Sequence, residues 1–255
     1  MDLLLDAQLA ARYNSKSQKA RVITENWVSV NLYCPICGNS KVNHFPNNKT
    51  VADFYCPSCK EQYELKSKNG PLGKKITDGA YETFIKRITE NSNPDFLFMS
   101  YHLDSMRVSD LLFVPKFFLT PAIVEKRKPL REEAQRSGWI GCNILFDQIP
   151  EQGKIPIIHN GIITEKEYIR QKITKAFQIK VDNLDARGWL FDVLQCVNMI
   201  QDQEFDLEEV YGFEKTLELK HPDNHNIRPK IRQQLQVLRN RGIVDFLGNG
   251  HYRKL

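Results

Sequence analysis

No stretch of this 255-residue chain comes near the roughly 18 consecutive apolar residues of a membrane span, so a spanning helix is not expected. The start, Met1-Asp2-Leu3-Leu4-Leu5-Asp6, lacks the basic opening of a secretory signal. The expected location is the cytoplasm, where thiols stay reduced unless a metal holds them. A large charge of one sign is also missing: the net value is only +5. With 41% apolar and 26% charged residues, the composition is that of an ordinary globular protein. The length suits one large domain or two modest ones. Cysteines are few, six in all, and nothing else marks a disulfide-stapled secreted chain. Cys142 and Cys196 sit among apolar neighbours and read as buried thiols.

The other four cysteines form two pairs, Cys34-Pro-Ile-Cys37 and Cys56-Pro-Ser-Cys59, with 18 residues between them. This spacing matches a tetrahedral Cys₄ site for structural Zn²⁺. Val51–Tyr55 and Gln62–Lys66 read as paired strands, with the second knuckle as the tip of their hairpin. Strand side chains alternate, so Glu64 and Lys66 share a face that Asp53 can reach from the neighbouring strand. Two carboxylates and a lysine suit phosphodiester hydrolysis. The acids would hold Mg²⁺, a hard cation that takes oxygen ligands, and Lys66 would orient the attacking water and offset charge. A solvated strand with an incidental Glu-x-Lys is the plainer alternative.

Asp53 with Glu64-Leu65-Lys66 resembles the PD-(D/E)xK nuclease motif. With the four cysteines, Ser17–Arg21, Asp78-Gly79-Ala80-Tyr81, Gly138–Asn143 and the ending Tyr252–Leu255, nearly the whole chain resembles methyl-directed type II restriction endonucleases that carry a C-terminal winged helix. Ala52 stands where the motif's name places proline, a position without a side-chain role. The resemblance implies cleavage of double-stranded DNA at G-A-T-C sites carrying N6-methyladenine, leaving a 5′-phosphate. It makes Asp53, Glu64 and the Leu65 carbonyl the Mg²⁺ ligands, and it puts Trp139 in a pocket that meets the adenine methyls. Read without the resemblance, Trp139 between Gly138 and Gly141 is either an exposed reader or a core filler. The basic run Lys126-Arg127-Lys128, with Arg131 and Arg136, is either a phosphate-contacting or a solvated loop.

The expected fold is an α/β nuclease core over residues 1–183 followed by a small α+β winged helix over residues 184–255. A helix is predicted from Ser17 to Val30, with Ala20, Ile23, Trp27 and Val30 on its buried face; Glu25 on it reads as an exposed acid, with assistance to the metal site as the alternative. Another is predicted from Thr77 to Glu90, with strands at 96–101, 111–114 and 155–158 and a turn at Asn160-Gly161. In the C-terminal region, residues 184–225 hold 3 basic against 10 acidic residues, and residues 226–255 hold 7 against 1. Trp189, Val193, Leu194, Val197 and Ile200 mark a first helix, and Asp206 with Glu209 a capping box for the second. In the third, Ile227–Arg241, the core face carries Ile231, Leu235 and Leu238. The other face carries Arg228, Lys230, Arg232, Gln233, Gln234, Gln236, Arg239 and Asn240, of which Arg228, Arg232 and Gln233 are the candidate DNA contacts. Arg and Gln are side chains that pair with guanine and adenine edges. Gly242 stops this helix, and a hairpin around Gly248-Asn249-Gly250 forms the wing.

The expectation is therefore a metal-dependent restriction endonuclease, a monomer in solution, that binds adenine-methylated duplex DNA and no membrane. A zinc-ribbon and winged-helix regulator without catalysis is the rival from another class. It leaves Asp53, Glu64 and Lys66 without a task. A PD-(D/E)xK nuclease directed at another modification is the rival within enzymes.

Overall fold

The computed structural model describes residues 1–46, 52–90 and 92–255, so Val51 of the first expected strand lies outside the described residues. After a short 3-10 turn at Ala7–Ala10 comes helix α1 (Lys16–Asn31), which buries Ile23, Thr24, Trp27 and Val28. Val30, expected on that face, is 70% exposed, and Val28 takes its place. Trp27 is anchored by its indole N–H, which donates to the Asp2 carbonyl at 2.8 Å. Strands β1 (Asn43–His44), β2 (Phe54–Tyr55) and β3 (Gln62–Asn69) follow as antiparallel neighbours, with the second cysteine knuckle at the β2–β3 tip.

Next come β4 (Lys75–Ala80) and α2 (Tyr81–Thr89). The helix expected from Thr77 therefore starts four residues later. Residues 75–80 are instead drawn into a ladder with a strand about 65 residues downstream, which local periodicity does not reveal. Strands β5 (Asp95–His102) and β6 (Arg107–Val114) form the centre of the main sheet. In β5 every residue but His102 is buried, the continuous apolar pattern of a strand covered on both faces. β7 (Val124–Lys126), β8 (Gly141–Leu145), β9 (Ile155–His159), β10 (Ile162–Ile163) and α3 (Lys166–Gln178) complete this region. Asn160 and Gly161, with φ of 49° and 72°, make the expected tight turn between β9 and β10.

The seven-stranded sheet runs β1-β2-β3-β5-β6-β9-β10, with β3 and β5 parallel and the other neighbours antiparallel. A separate three-stranded sheet, β4-β8-β7, is antiparallel.

The C-terminal region starts with α4 (Leu184–Met199), capped by the Asn183 side chain, which accepts from the Ala186 amide at 2.8 Å. Strand β11 (Glu204–Asp206) leads into α5 (Leu207–Tyr211), α6 (Glu214–Lys220) and α7 (Ile227–Asn240). The Asp206–Glu209 capping box is present, but the second helix expected there breaks at Gly212-Phe213 into two short ones. Gly242 ends the third-helix region at φ +66°. β12 (Val244–Gly248) and β13 (His251–Lys254) form the wing hairpin on a two-residue turn, Asn249-Gly250. β11 joins them, giving the order β11-β13-β12. No helix among the described residues is long and apolar enough to cross a membrane.

Candidate nuclease centre and DNA-facing surface

Lys66 collects the site. Alternation along β3 sends Tyr63 and Leu65 to one face and Glu64 and Lys66 to the other. Thr24 of α1 meets Ser67 on the first face at 3.2 Å, while Arg87 of α2 meets Glu64 on the second at 2.6 Å. Glu64 Oε1 lies 2.5 Å from Lys66 Nζ, which also bonds to the carboxylate of Asp78 on β4. Burial alone works against the Lys66 charge, but Glu64 and Asp78 outweigh it and hold the ammonium above its ordinary range. Asp78 is further fixed by the Gly79 amide at 2.6 Å, while its second oxygen is buried without a hydrogen-bond partner.

Asp53 reaches this centre along the sheet. β2 is only two residues long, so the edge of β3 beyond Tyr63 would lose its ladder partner. The Asp53 amide donates to the Tyr63 carbonyl at 3.0 Å, and Asp53 Oδ2 accepts from the Leu65 amide at 2.8 Å. The carboxylate thus lies against the backbone between Glu64 and Lys66. Burial raises its pKa; the Leu65 N–H opposes the rise, and the charges of Glu64 and Glu25 add to it. Glu25 is not the exposed helical acid expected from sequence: its side chain is 15% exposed and bonds to Arg21 at 2.6 Å and His44 at 2.9 Å. Asp53, Glu64 and Glu25 together form an oxygen-rich set suited to a hard divalent cation.

The four cysteines stand beside this centre. Both knuckles fold alike. Gly38 N–H donates to the Cys34 carbonyl, and Lys60 N–H to the Cys56 carbonyl, with Gly38 and Lys60 both at positive φ. All four sulfurs lie within 4.8 Å of one another, with Cys34–Cys59 and Cys37–Cys56 each at 3.6 Å. Tetrahedral Zn²⁺ with bonds of about 2.3 Å would separate its sulfurs by about 3.8 Å, so the cluster could hold zinc. Tyr63 ties it to β3, its hydroxyl 2.9 Å from Cys34 Sγ.

Trp139 ends an exposed loop that carries Arg127, Lys128, Arg131 and Arg136. The loop closes on itself: Leu130 N–H donates to the Trp139 carbonyl, and Trp139 N–H to the Arg136 carbonyl. The indole lies over Gly141, where a Cβ would come within 2.8 Å of two ring atoms. Gly141 pairs with Ala80 at a bulge next to Asp78, so the loop and the Lys66 partner share one small sheet. Trp139 is half-buried, neither wholly core nor fully exposed.

On α7, Arg232 and Gln233 are exposed, beside Gln236, Arg239 and Asn240. Arg228 is exposed but ion-paired to Glu214 at 2.9 Å. Gln234, expected on this face, is 5% exposed, because the buried stripe runs Ile227, Ile231, Gln234, Leu235, Leu238. Asp78 and Arg87 were missed by sequence reasoning as members of the site. The Asp78-Gly79 bulge was the available signal for the first; Arg87 gave none beyond its place on a helix.

Two family models match the chain. One, described as DpnI, Dam-replacing family, covers residues 1–182. The other, described as DpnI_C, Dam-replacing HTH domain, covers residues 185–254.

Proposed function

Because the chain belongs to the DpnI, Dam-replacing family and so is a DNA-binding restriction endonuclease, we propose that it cuts duplex G-A-T-C sites carrying N6-methyladenine through Asp53, Glu64 and Lys66. The reading assigns residues 1–183 to cleavage and residues 184–255 to a second DNA-binding unit. The observation that carries it is the convergence of three carboxylates and a buried lysine at β3 and its neighbours.

Asp53 and Glu64, with the Leu65 carbonyl, would hold Mg²⁺, which polarises the phosphate and acidifies a bound water. Glu64 is engaged by Lys66 and Arg87, both of which it would share with the phosphate on binding DNA. Lys66 stays charged between two acids, so its part is to orient the nucleophile by hydrogen bonding and to offset charge, not to remove a proton. Asp78 holds Lys66 in place. The Cys₄ cluster, filled by Zn²⁺, would fix the turn from which Asp53 and β3 depart. Trp139 and Arg136 would meet methylated DNA near the cut, and Arg232 and Gln233 would contact it from α7.

Two reading units suit the task. A buried methyl is worth about 0.8 kcal/mol by area and about 1–3 kcal/mol in a shaped pocket. One such contact is thin protection for unmethylated DNA; two in linked units multiply.

Plasmids grown in adenine-methylating and non-methylating hosts, incubated with the protein and Mg²⁺, test the reading. Fragments at G-A-T-C from the first alone are expected. Equal digestion of both would overturn methyl direction, and digestion of neither would leave a DNA-binding protein without catalysis.

A further inference from the structure

Eight polar or charged side chains are buried among the described residues, and three of them, Asn93, Asp95 and Arg187, line one cavity that the cleavage reading does not use. Most of the others are accounted for locally. Thr24 donates to Ala20, Ser100 to Gly70, and Asp192 accepts from Lys220 and His221. The cavity is different. Asn93 is 6% exposed, and neither its amide nitrogen nor its amide oxygen has a hydrogen-bond partner. Burying an amide without partners is costly, so such a group in a cavity is a docking point for a polar guest.

The volume, about 440 Å³, lies in the range of small-molecule sites, and so does the location. One wall comes from the nuclease region, through Asn93, Asp95 and Lys116. The other comes from the end of α3, the segment after it and the first turn of α4, through Phe177, Lys180 and Arg187. Phe117 and Phe177 stand edge to face at 5.2 Å, with Phe177 40% exposed. Aromatic faces beside an amide that offers one donor and one acceptor side by side match the flat surface and polar edge of a nucleobase.

Charge narrows the guest. Lys116, Lys180 and Arg187 are cationic. Glu61 and Asp182 are anionic and lie 2.9 Å and 3.4 Å from Lys116 and Lys180. Burial pushes the Asp95 carboxyl up to about 7, against the Lys116 amide that donates to it, so it carries less than a full charge at neutrality. The lining is left with a small net positive charge, which suits a single phosphate better than a polyphosphate chain.

We propose that this cavity binds a purine nucleoside monophosphate, with Asn93 pairing to the base edge, Phe177 against its face, and the phosphate toward Lys180 and Arg187. A guest there bridges the nuclease wall and the connecting segment and stabilises their packing. Its base and phosphate are shared with the deoxynucleotides that further digestion of cut DNA releases, so such a ligand would report on DNA breakdown.

Calorimetry on the full chain with AMP, GMP, CMP and inorganic phosphate tests this. AMP or GMP should bind with Kd on the order of 10–100 μM, at least about tenfold tighter than CMP or phosphate alone. Asn93→Ala and Phe177→Ala should each weaken that binding about tenfold or more. Phe177 is partly exposed, so its variant carries the test if the Asn93 variant does not fold. Cleavage of methylated plasmid should stay at the wild-type rate in both variants, so this site can fail without affecting the nuclease reading. No purine monophosphate binding at about 1 mM, CMP or phosphate binding as tight as a purine monophosphate, or unchanged affinity in both folded variants would overturn the proposal.

Discussion

The two surfaces assigned to DNA are built in opposite ways. Around Lys66, nearly every charged group is partly buried and already engaged: Lys66 with Glu64 and Asp78, Glu64 with Arg87, Asp53 with a backbone amide. On α7, Arg232, Gln233 and Gln236 stand exposed on a helix whose other side is packed. Chemistry needs groups fixed before substrate arrives, because reorganising charge during reaction raises the barrier. Groove reading needs side chains that can reach base edges. Substitutions at the first surface should therefore abolish function, and those at the second should grade it.

The largest effect should come from the cysteines that support the fixed surface. A structural Zn²⁺ supplies about 10–16 kcal/mol of apparent folding energy, as much as the whole stability of a typical domain, about 5–15 kcal/mol. Cys34→Ala or Cys59→Ala should unfold the region around β2 and β3, and metal analysis should find one zinc per chain. An active, unchelated preparation with essentially no zinc would remove the metal from the account.

The side chains proposed to be catalytic come next. Asp53→Ala, Glu64→Ala and Lys66→Ala should each lower cleavage by about 10²–10³-fold or more, while affinity for methylated duplex in Ca²⁺ stays close to wild type. Asp78→Asn should slow cleavage less, because it loosens Lys66 without deleting it. In a Lys66→Ala background it should add nothing, since coupled groups are non-additive. Wild-type cleavage by any of the three alanine variants would withdraw that residue.

Much of this was legible in the residues themselves. The Cys pairs, the Glu64-x-Lys66 alternation, the capping box at Asp206 and the wing turn are all local chemistry written within a few positions. What escaped depended on partners distant in sequence. Residues 75–80 form a strand because β8 is there to receive them, whereas the period from Thr77 onward suggested helix. Asp78 joins the site only through that ladder, and Glu25 is drawn out of solvent only because α1 packs over β3 near His44. Gln234 is buried because the stripe on α7 is wider than its apolar residues.

The exposed surface should respond by degrees. Arg232→Ala or Gln233→Ala should each cost about 1–3 kcal/mol of binding if they touch base edges, mostly on the methylated site. Arg228→Ala should cost less, because Glu214 already engages its guanidinium. Gel shifts with methylated and unmethylated duplexes measure this. Equal losses on both duplexes would make α7 an anchor that grips phosphates, with methyl reading left to the nuclease region.

Trp139 lies between the two kinds of surface, half-buried at the end of a basic loop and joined through Gly141 and Ala80 to the strand that holds Asp78. If its ring shields a methyl, Trp139→Ala should reduce the preference for methylated over unmethylated sites by about tenfold, the lower end of what one methyl contact supplies. A core tryptophan would instead cost about 3–5 kcal/mol of stability on truncation. Gly141→Ala separates these roles without removing the ring. Its new Cβ would lie 2.8 Å from the indole, so the ring must move. A reader displaced in this way loses discrimination while the melting temperature barely changes. A filler displaced in this way lowers the melting temperature and leaves discrimination intact. Cleavage rates on the two duplexes and thermal melts, taken on both variants, decide which surface Trp139 belongs to.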